Sequence, residues 1–479
     1  MLASYQLVVL RLGYGGMVGT GERKRRVLLA ASLIAIELVS GMQVYLTQTI
    51  LPIMAADLQA QSYYGVLTGM AQIATFAALP VGAQLVRRYR IRPLLMVFTV
   101  GLCVGAAVCA LAPSVAIYLV GQVLRAFAGG CLATISIGAV AVGLEGRARQ
   151  LTLAMIQGTW IISSILGPVY AATATELLSW RWAMVLYLPV LVVGRWVVAS
   201  QLRDHRPRGS GALPLASVVL LAAGLALTIA PAAGGGKIAL VIAGSVVLAV
   251  GAGRVLPKGT FTLRSPRHRA LALLFGLAGT YFAGDAVIAL TAHDRLGLGV
   301  GQIGAVVMAG GLGWALVGFV CGLRPARDPD AFRRRAIAGL VLIALGSVVT
   351  GGYLAGGPDL PALPVLVSAW AMAGAGMGLV YLDTINRLFE EPAQPDGLDL
   401  ETVAGASIMA ESVAVAITTT LATTWIGTGL GLVPLEARHA TIWIVLAVAP
   451  LACLVPVVWR GPSGRQPVRE RFEQQRQPG

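Results

Sequence analysis

The sequence predicts an all-α polytopic membrane protein, and three observations carry that expectation. Of its 479 residues 57% are hydrophobic and only 12% charged, where soluble chains carry about 25% charged residues. The apolar residues run in continuous stretches long enough to span, about 20 residues each, without the alternation of a membrane barrel. The Lys and Arg residues gather in every second connection between those stretches.

Breaking the chain at charged, Pro and Gly clusters gives fourteen spans. Span 1 (27–52) follows the basic run "GERKRR" and ends at Pro52; span 2 (64–86) stops at Arg87 and Arg88. Span 3 (93–112) runs from Pro93 to just before Pro113, and span 4 (115–142) ends at the charged "EGRAR". Span 5 (151–176) follows that cluster and closes on Glu176, and span 6 (180–200) opens on "WRW" and stops before "LRDHRPR". Spans 7 (213–232) and 8 (237–256) are parted by Pro231 and three successive glycines. Span 9 (268–292) lies between "RSPRHR" and His293–Asp294, and span 10 (299–323) ends at Arg324–Pro325. Span 11 (332–355) follows "RDPD", and span 12 (363–386) ends at Arg387. Span 13 (401–427) follows the acidic loop "LFEEPAQPDGLDL", and span 14 (440–459) ends at "RGP".

With both termini cytoplasmic, thirty of the thirty-six Lys and Arg residues fall on the inner side. Four (Arg181, Lys237, Arg295 and Arg438) fall outside, and Arg125 and Arg195 lie within spans. That is the positive-inside pattern, which a miscounted span would scramble. It also accounts for the formal net charge of +15, since basic loops contact anionic headgroups; no nucleic-acid partner is expected. The longer basic connections divide the chain into spans 1–6 (27–200), spans 7–8 (213–256) and spans 9–14 (268–459). The middle pair carries ionisable residues only near its span ends, Lys237 and Arg254, and is expected to face lipid or plug a gap. Residues 1–26 read as a cytoplasmic N-terminal extension, and the polar residues 460–479 as a disordered cytoplasmic tail. The first sixteen residues do not read as a signal peptide, because Arg11 breaks the apolar stretch and the basic cluster follows it; Met17 is a candidate start. Three lysines against thirty-three arginines suggest a GC-rich, bacterial genome, hence a multi-pass protein of the bacterial inner membrane.

All five cysteines lie within spans without CxxC spacing and read as packing residues, with neither disulfide nor metal site expected. There is no phosphate loop, metal-ligand cluster or Ser/His/Asp set, and His205, His268, His293 and His439 lie in loops or at span ends. No enzymatic activity and no cofactor is expected.

Polar residues inside several spans fall on one helical face. These are Glu37, Gly41, Tyr45 and Gln48 in span 1; Thr68, Gln72 and Thr75 in span 2; Gln122, Arg125 and Gly129 in span 4; Gln157, Trp160 and Ser164 in span 5; and Ser407, Glu411 and Thr418 in span 13. Such faces turn toward other helices or a watery cavity. Small-residue packing explains isolated Ser and Thr, but five stripes favour a shared cavity, with Tyr45, Gln48, Gln72, Gln122, Gln157, Trp160 and Tyr281 as candidate lining.

Arg125 stands out, because a charge at mid-membrane costs roughly 2.5–3.5 kcal/mol on insertion scales. Counting residues places Glu37 at a similar depth, so the two are expected to neutralise each other, either as a permanent ion pair or as a pair that exchanges a proton. Glu411 lies at mid-depth with no evident basic partner, which suits a proton-carrying carboxyl. Asp285 sits in the outer half of span 9, as cavity acid or helix contact, Asp383 is expected to pair with neighbouring Arg387 at the inner surface, and Glu176 to be solvated.

Four stretches resemble motifs of the major facilitator superfamily, specifically its fourteen-span drug:proton antiporter branch. "RAFAGGCLA" (125–133) is similar to the span-4 motif RxxqGxGaa, matched by Arg125 and Gly129. "LGPVYAA" (166–172) resembles the span-5 antiporter motif gxxxGPxxGG at Gly167 and Pro168, with Ser163, Ala171 and Ala172 at the flanking glycine positions. "WRWAMVLYLP" (180–189) resembles WRWxFxxNxP with Tyr187 replacing Asn. "GAQLVRRYRIRP" (82–93) sits where the loop motif GxLaDrxGrrxxl belongs; Gly82, Arg87 and Arg90 match, while Val86 replaces the acid and Tyr89 the second glycine. "ILPIMAADL" (50–58) and "LGLGVGQIGAVVMAGGLGW" (296–314) resemble the family's span-1 ending and the approach to span 10.

The resemblance implies two six-helix bundles with two inserted helices, rocking about a mid-membrane cavity. It implies proton coupling through Glu37, Arg125, Glu411 and Asp285. It further implies conformational roles for Gly82, Arg87, Arg90, Gly129, Gly167 and Pro168, and a latch weakened by Val86. The expected function is proton-coupled export of amphipathic small molecules or drugs by a monomer. The alternatives are an exporter or flippase of lipid-like molecules and, from another class, a non-transporting membrane sensor or scaffold.

Overall fold

The computed structural model describes residues 20–143, 146–201, 215–232, 234–326, 328–356, 360–390 and 396–458. The side chains of 20–26, 83, 87, 137–157, 160–161, 400–401 and 435–436 fall outside that description, as do Met17, the connection 202–214 and the tail. The described residues form helices and their connections, with no strand among them.

The first half runs α1 (Thr20–Asp57), α2 (Tyr64–Arg88), α3 (Ile91–Ala110), α4 (Val115–Gly143), α5 (Gly146–Leu177), the single turn α6 (Trp180–Ala183) and α7 (Leu188–Gln201). Next come α8 (Leu215–Ile229) and α9 (Gly234–Val255). The second half is α10 (Pro266–Asp294), α11 (Val300–Leu323), α12 (Pro329–Leu354), α13 (Ala362–Phe389), α14 (Leu400–Thr428), α15 (Leu435–Ala452) and the short α16 (Leu454–Val458). Each predicted span falls largely on helix among the described residues. Among the described residues, twelve helical segments are long and apolar enough to cross a membrane; Leu215–Ile229 is a shorter apolar helix.

The helix starts at the basic end are written locally. Ser265, Asp328 and Asp399 cap α10, α12 and α14 by accepting from the backbone N–H groups of His268, Ala331 and Thr402, and Pro266 and Pro329 occupy first helical positions, where no N–H is needed. The bonds from Thr402 hold the exposed Asp399 carboxyl below the usual carboxylate range.

In the first half α1 packs on α5 and α7, and α4 on α2 and α3; in the second, α13 packs on α11 and α12, and α10 on α14. The halves meet along two seams, α5 against α11 and α2 against α14, with α1 on α10 between them. The pair α8–α9 lies with one face against α2 and α14, while Val219, Ile242 and Val246 on its other side are exposed. Val218, Leu221 and Leu225 of α8 and Leu248 and Ala252 of α9 share one buried cluster with Phe76 of α2 and Val413 and Ala416 of α14. Lys237 is buried, its ammonium donating to the Thr228 and Ala230 carbonyls at the end of α8, both at 2.9 Å. It therefore ties the pair together as a C-terminal cap.

At the non-basic end the halves are in contact. Tyr64 Oη donates to Asp294 Oδ1 at 3.1 Å, the Thr68 and Thr423 hydroxyls lie 2.7 Å apart, and a Cβ on Gly65 would strike Thr424.

Candidate functional site

The first half holds its buried cation with neutral oxygens. Arg125 Nη2 donates to Gln122 Oε1 at 2.9 Å and to Thr47 Oγ1 at 3.3 Å, and the guanidinium also bonds Tyr187. Tyr187 Oη in turn donates to Gln43 Oε1 at 3.1 Å. The expected Glu37–Arg125 pair is therefore corrected. Thr47, which Arg125 reaches, stands ten residues beyond Glu37 on α1, about 15 Å along a helix rising 1.5 Å per residue. Counting residues from predicted ends misplaced the depth. The charged group that acts on Glu37 is Arg195 of α7, 4% exposed, whose Nε and Nη1 find no hydrogen-bond partner among the described residues. Gly194 allows this approach, because a Cβ there would already stand 3.1 Å from Ile36.

The second half holds acids with single neutral donors. Asp285 of α10 is 1% exposed; Trp370 Nε1 of α13 donates to its Oδ1 at 2.8 Å, and its Oδ2 has no partner among the described residues. One helical turn away, Tyr281 stacks on Trp370 with ring centroids 5.5 Å apart and planes at 14°, and meets Trp314 of α11 edge-on at 5.9 Å. Gly310 makes room for this group, since a Cβ there would lie 2.5 Å from Trp370 and 3.0 Å from Tyr281 Oη. Tyr45 of α1 lies within electrostatic reach of Asp285 and faces Ser164 of α5, so this carboxyl stands where the two halves meet. Glu411 of α14 accepts from Tyr381 Oη at 2.9 Å, and Tyr381 packs edge-on to Trp314 at 5.4 Å. Trp314 thus links the two acids.

Asp383 does not pair with Arg387, and that expectation is corrected. It accepts from the Ala326 backbone N–H at 3.1 Å and from Arg335 Nη1 at 3.0 Å, tying α13 to the start of α12. Arg387 meets Glu390 at 3.3 Å and lies over the Phe332 ring. Arg387, four residues on, shares a helical face with Asp383, but Arg335 of the neighbouring helix and the Ala326 N–H take up the carboxylate, partners that sequence adjacency does not reveal.

Of the other candidate residues, Gln122 is buried, Gln48 and Gln72 are half-buried, and Gln48 Oε1 finds no partner among the described residues. The side chains of Gln157, Trp160 and Arg87 lie outside the described residues. A Cβ on Gly167 would press to 2.7 Å on Tyr45 of α1. Pro168 lies within α5, and a Cβ on Gly304 would come 3.1 Å from its carbonyl. Gly82 lets α2 approach α4, with a Cβ 3.1 Å from the Cys131 backbone. Nothing among the described residues lies within 4 Å of a Cβ on Gly129; the close approach is at the neighbouring Gly130, against Thr75 and Ala78. Val86 is buried in the apolar core, and Arg90 is exposed.

The residues missed in the sequence are Gln43, Thr47, Tyr187 and Arg195 in the first half, and Trp314, Trp370 and Tyr381 in the second. Tyr187 carried a signal as the departure from the WRW motif, and Arg195 as the second charge inside a span. The two tryptophans and Tyr381 read as ordinary apolar residues.

A model of the Major Facilitator Superfamily matches residues 33–419. The chain belongs to this family. The Multidrug resistance protein B homolog of Mycobacterium tuberculosis is 24% identical over 326 residues, covering 64% of this chain and 59% of that one. The Multidrug efflux pump SdrM of Staphylococcus aureus is 22% identical over 171 residues, 36% of this chain and 38% of that one. Efflux pump dotC of Dothistroma septosporum is 27% identical over 167 residues, 34% of this chain and 28% of that one. The matches thus span 28–59% of these relatives' lengths. Among solved structures, the POT family transporter PepTSo superposes with a TM-score of 0.60 at 13% identity, covering 94% of this chain and 99% of that one. The human organic anion transporter MFSD10 superposes with a TM-score of 0.52 at 18% identity, covering 91% and 100%. At these identities the structural likeness concerns the fold.

Proposed function

We propose that this protein is a proton-coupled exporter of amphipathic small molecules. It works as a monomer by alternating access across fourteen spans, with both termini cytoplasmic, in a bacterial plasma membrane. The observation that carries the reading is Asp285. It is a fully buried carboxyl with one neutral donor on one oxygen and, among the described residues, nothing on the other, set where the halves meet. An ionised carboxylate in that position is costly, so a proton, or a polar substrate replacing it, supplies what the protein does not. Glu411, also with a single neutral donor, is the second carrier acid. Arg125 acts as a fixed cation held by neutral oxygens, and Glu37 with Arg195 as a charge pair on the first half.

The contact at the non-basic end corresponds, under this reading, to a state open toward the cytoplasm. Rocking the halves about α1 and α10 would expose Asp285 to the other side. The relatives named as efflux pumps support the direction of transport. In everted vesicles, substrate addition should release protons, and Asp285→Asn or Glu411→Gln should abolish that release. Full coupled transport by both variants would overturn the mechanism. Export of a lipid-like molecule is the second reading, supported by the apolar slot lined by Gly158, Gly318, Phe319, Gly322 and Leu323; reconstitution with a fluorescent lipid separates the two.

A further inference from the structure

The connection from the inserted pair to the second half is a folded strap, residues 256–265. Leu256 anchors it in a buried apolar cluster with Leu271 of α10, Leu388 of α13 and Val403 of α14. Phe261 meets Phe275 of α10 edge-on at 5.4 Å. The strap amides close short turns, Leu263 N–H onto the Thr260 carbonyl and Arg264 N–H onto the Gly259 carbonyl, both at 3.2 Å. Leu263 holds a left-handed φ of 56°, uncommon for a residue with a Cβ, so contacts impose this shape. Because α8 packs on α2, the strap joins a helix pair seated on the first half to the second half.

His268, 2% exposed, holds the strap down. Gly259, at φ 112°, lies against its ring, and a Cβ there would come 3.1 Å from Cδ2 and Nε2. Ring Nδ1 stands 2.7 Å from Ser265 Oγ, and the ring also bonds the Lys258 backbone. With Nδ1 taken, that second bond belongs to Nε2, which donates to the carbonyl. Ser265 Oγ also stands 3.3 Å from Asp396 Oδ2 in the α13–α14 connection. The Asp396 carboxylate is buried; its Oδ1 takes the Leu398 N–H at 3.1 Å and lies 3.7 Å from Arg267. Among the described residues, Ser265 is the donor to Oδ2.

Hydrogen counting separates two states. A serine hydroxyl carries one hydrogen, and here two acceptors face it. When the imidazole is neutral with its hydrogen on Nε2, Nδ1 takes the Ser265 hydrogen and Asp396 Oδ2 goes without. When the imidazole is protonated, Nδ1–H donates to Ser265 Oγ, and the hydroxyl hydrogen turns to Asp396. Protonation thus completes a chain from the Lys258 carbonyl through His268 and Ser265 to Asp396. It also sets a positive ring near a buried carboxylate. The other charged group facing the ring is Arg264 of the strap. Arg267, beside it on α10, is engaged by the Glu390 and Leu398 carbonyls, and the cluster around Leu256 is apolar.

We propose that His268 is a proton-operated clamp at the basic end. Protonated, it locks the strap onto the α13–α14 connection and fixes the inserted pair to the second half. Neutral, it releases Asp396 and loosens the strap. The clamp does not depend on the exporter reading.

The test is hydrogen–deuterium exchange of the full chain in lipid nanodiscs, corrected for intrinsic exchange, from about pH 8 to about pH 5, where an imidazole titrates. Protection of residues 256–265 and 396–399 should rise about tenfold toward the acid end, the effect of one charge-assisted hydrogen bond. Protection of 338–354 in α12 should stay flat. His268→Gln, neutral throughout, should remove the pH dependence. Asp396→Asn, which keeps an acceptor for Ser265 without the charge, should cut it severalfold and keeps the test decisive if the glutamine variant does not fold. A flat wild-type profile, or the full wild-type dependence in either variant, would overturn the clamp. A matching rise in 338–354 would mark a global change in stability and refute it equally.

Discussion

The two halves of this transporter-fold protein treat buried charge in opposite ways. In the first half, Arg125 is surrounded by the oxygens of Thr47, Gln122 and Tyr187, and Glu37 faces a second arginine, Arg195. In the second half, Asp285 and Glu411 each rest on one neutral donor, Trp370 or Tyr381. A guanidinium is permanently charged, so oxygens around it make a stable, permanent site. A carboxyl with one donor is incompletely satisfied as an anion and well suited to take up a proton. Under the proposed function, the difference places fixed charge in one half and exchangeable charge in the other.

The largest expected effect tests that assignment directly. Asp285→Asn keeps an oxygen for Trp370 but cannot exchange a proton, so substrate-driven proton release in everted vesicles should fall to that of empty vesicles. Glu37→Gln should retain part of it. Equal loss in both variants would break the distinction between the halves.

Next in size is a contrast of two ties near the membrane edges. Asp383 is buried and serves both Arg335 and the Ala326 N–H, so Asp383→Ala should lower unfolding stability by about 1–3 kcal/mol. Its counterpart in the first half, Asp57, accepts from Trp180 and Arg181 with both charged side chains largely exposed. Asp57→Ala should therefore cost less than about 1 kcal/mol. Thermal unfolding in detergent measures both, and reversal of their order would show that burial does not govern these ties.

Two glycines sharpen the comparison between packing within a half and packing between halves. Gly374 meets the Gly310 carbonyl inside the second half, and Gly311 meets Ser164 across the seam. Gly374→Ala should destabilise by about 1–3 kcal/mol through overpacking. Gly311→Ala should leave the unfolding midpoint nearly unchanged and instead favour separation of α5 from α11, read as increased cysteine accessibility along that seam.

How far the sequence led can be judged residue by residue. The helix segments, the inserted pair and the family motifs are legible because hydrophobic length and charged breaks are local properties. Asp285, Glu411 and Arg125 are legible as buried charges because any ionisable group inside an apolar run is conspicuous. Their partners are not. Glu37 and Arg125 look depth-matched on residue counts, yet α1 extends from Thr20 to Asp57, and its placement against α4 sets Thr47, not Glu37, beside the guanidinium. Asp383 looks paired with Arg387 on the same helix, yet α12 brings Arg335 to it. Gly129 matches a motif but meets nothing among the described residues, while Gly130 makes the close contact.

Apolar length and charge spacing dictate which segments become helices and where ionisable groups enter the membrane, because those depend on transfer free energies of neighbouring residues. Which donor each buried acid receives, which arginine answers Glu37, and which seam α8 and α9 seal depend on how helices far apart in the chain are rotated and stacked. Trp370 lies 85 positions from the carboxyl it bonds, and only the packed bundle brings them within 2.8 Å.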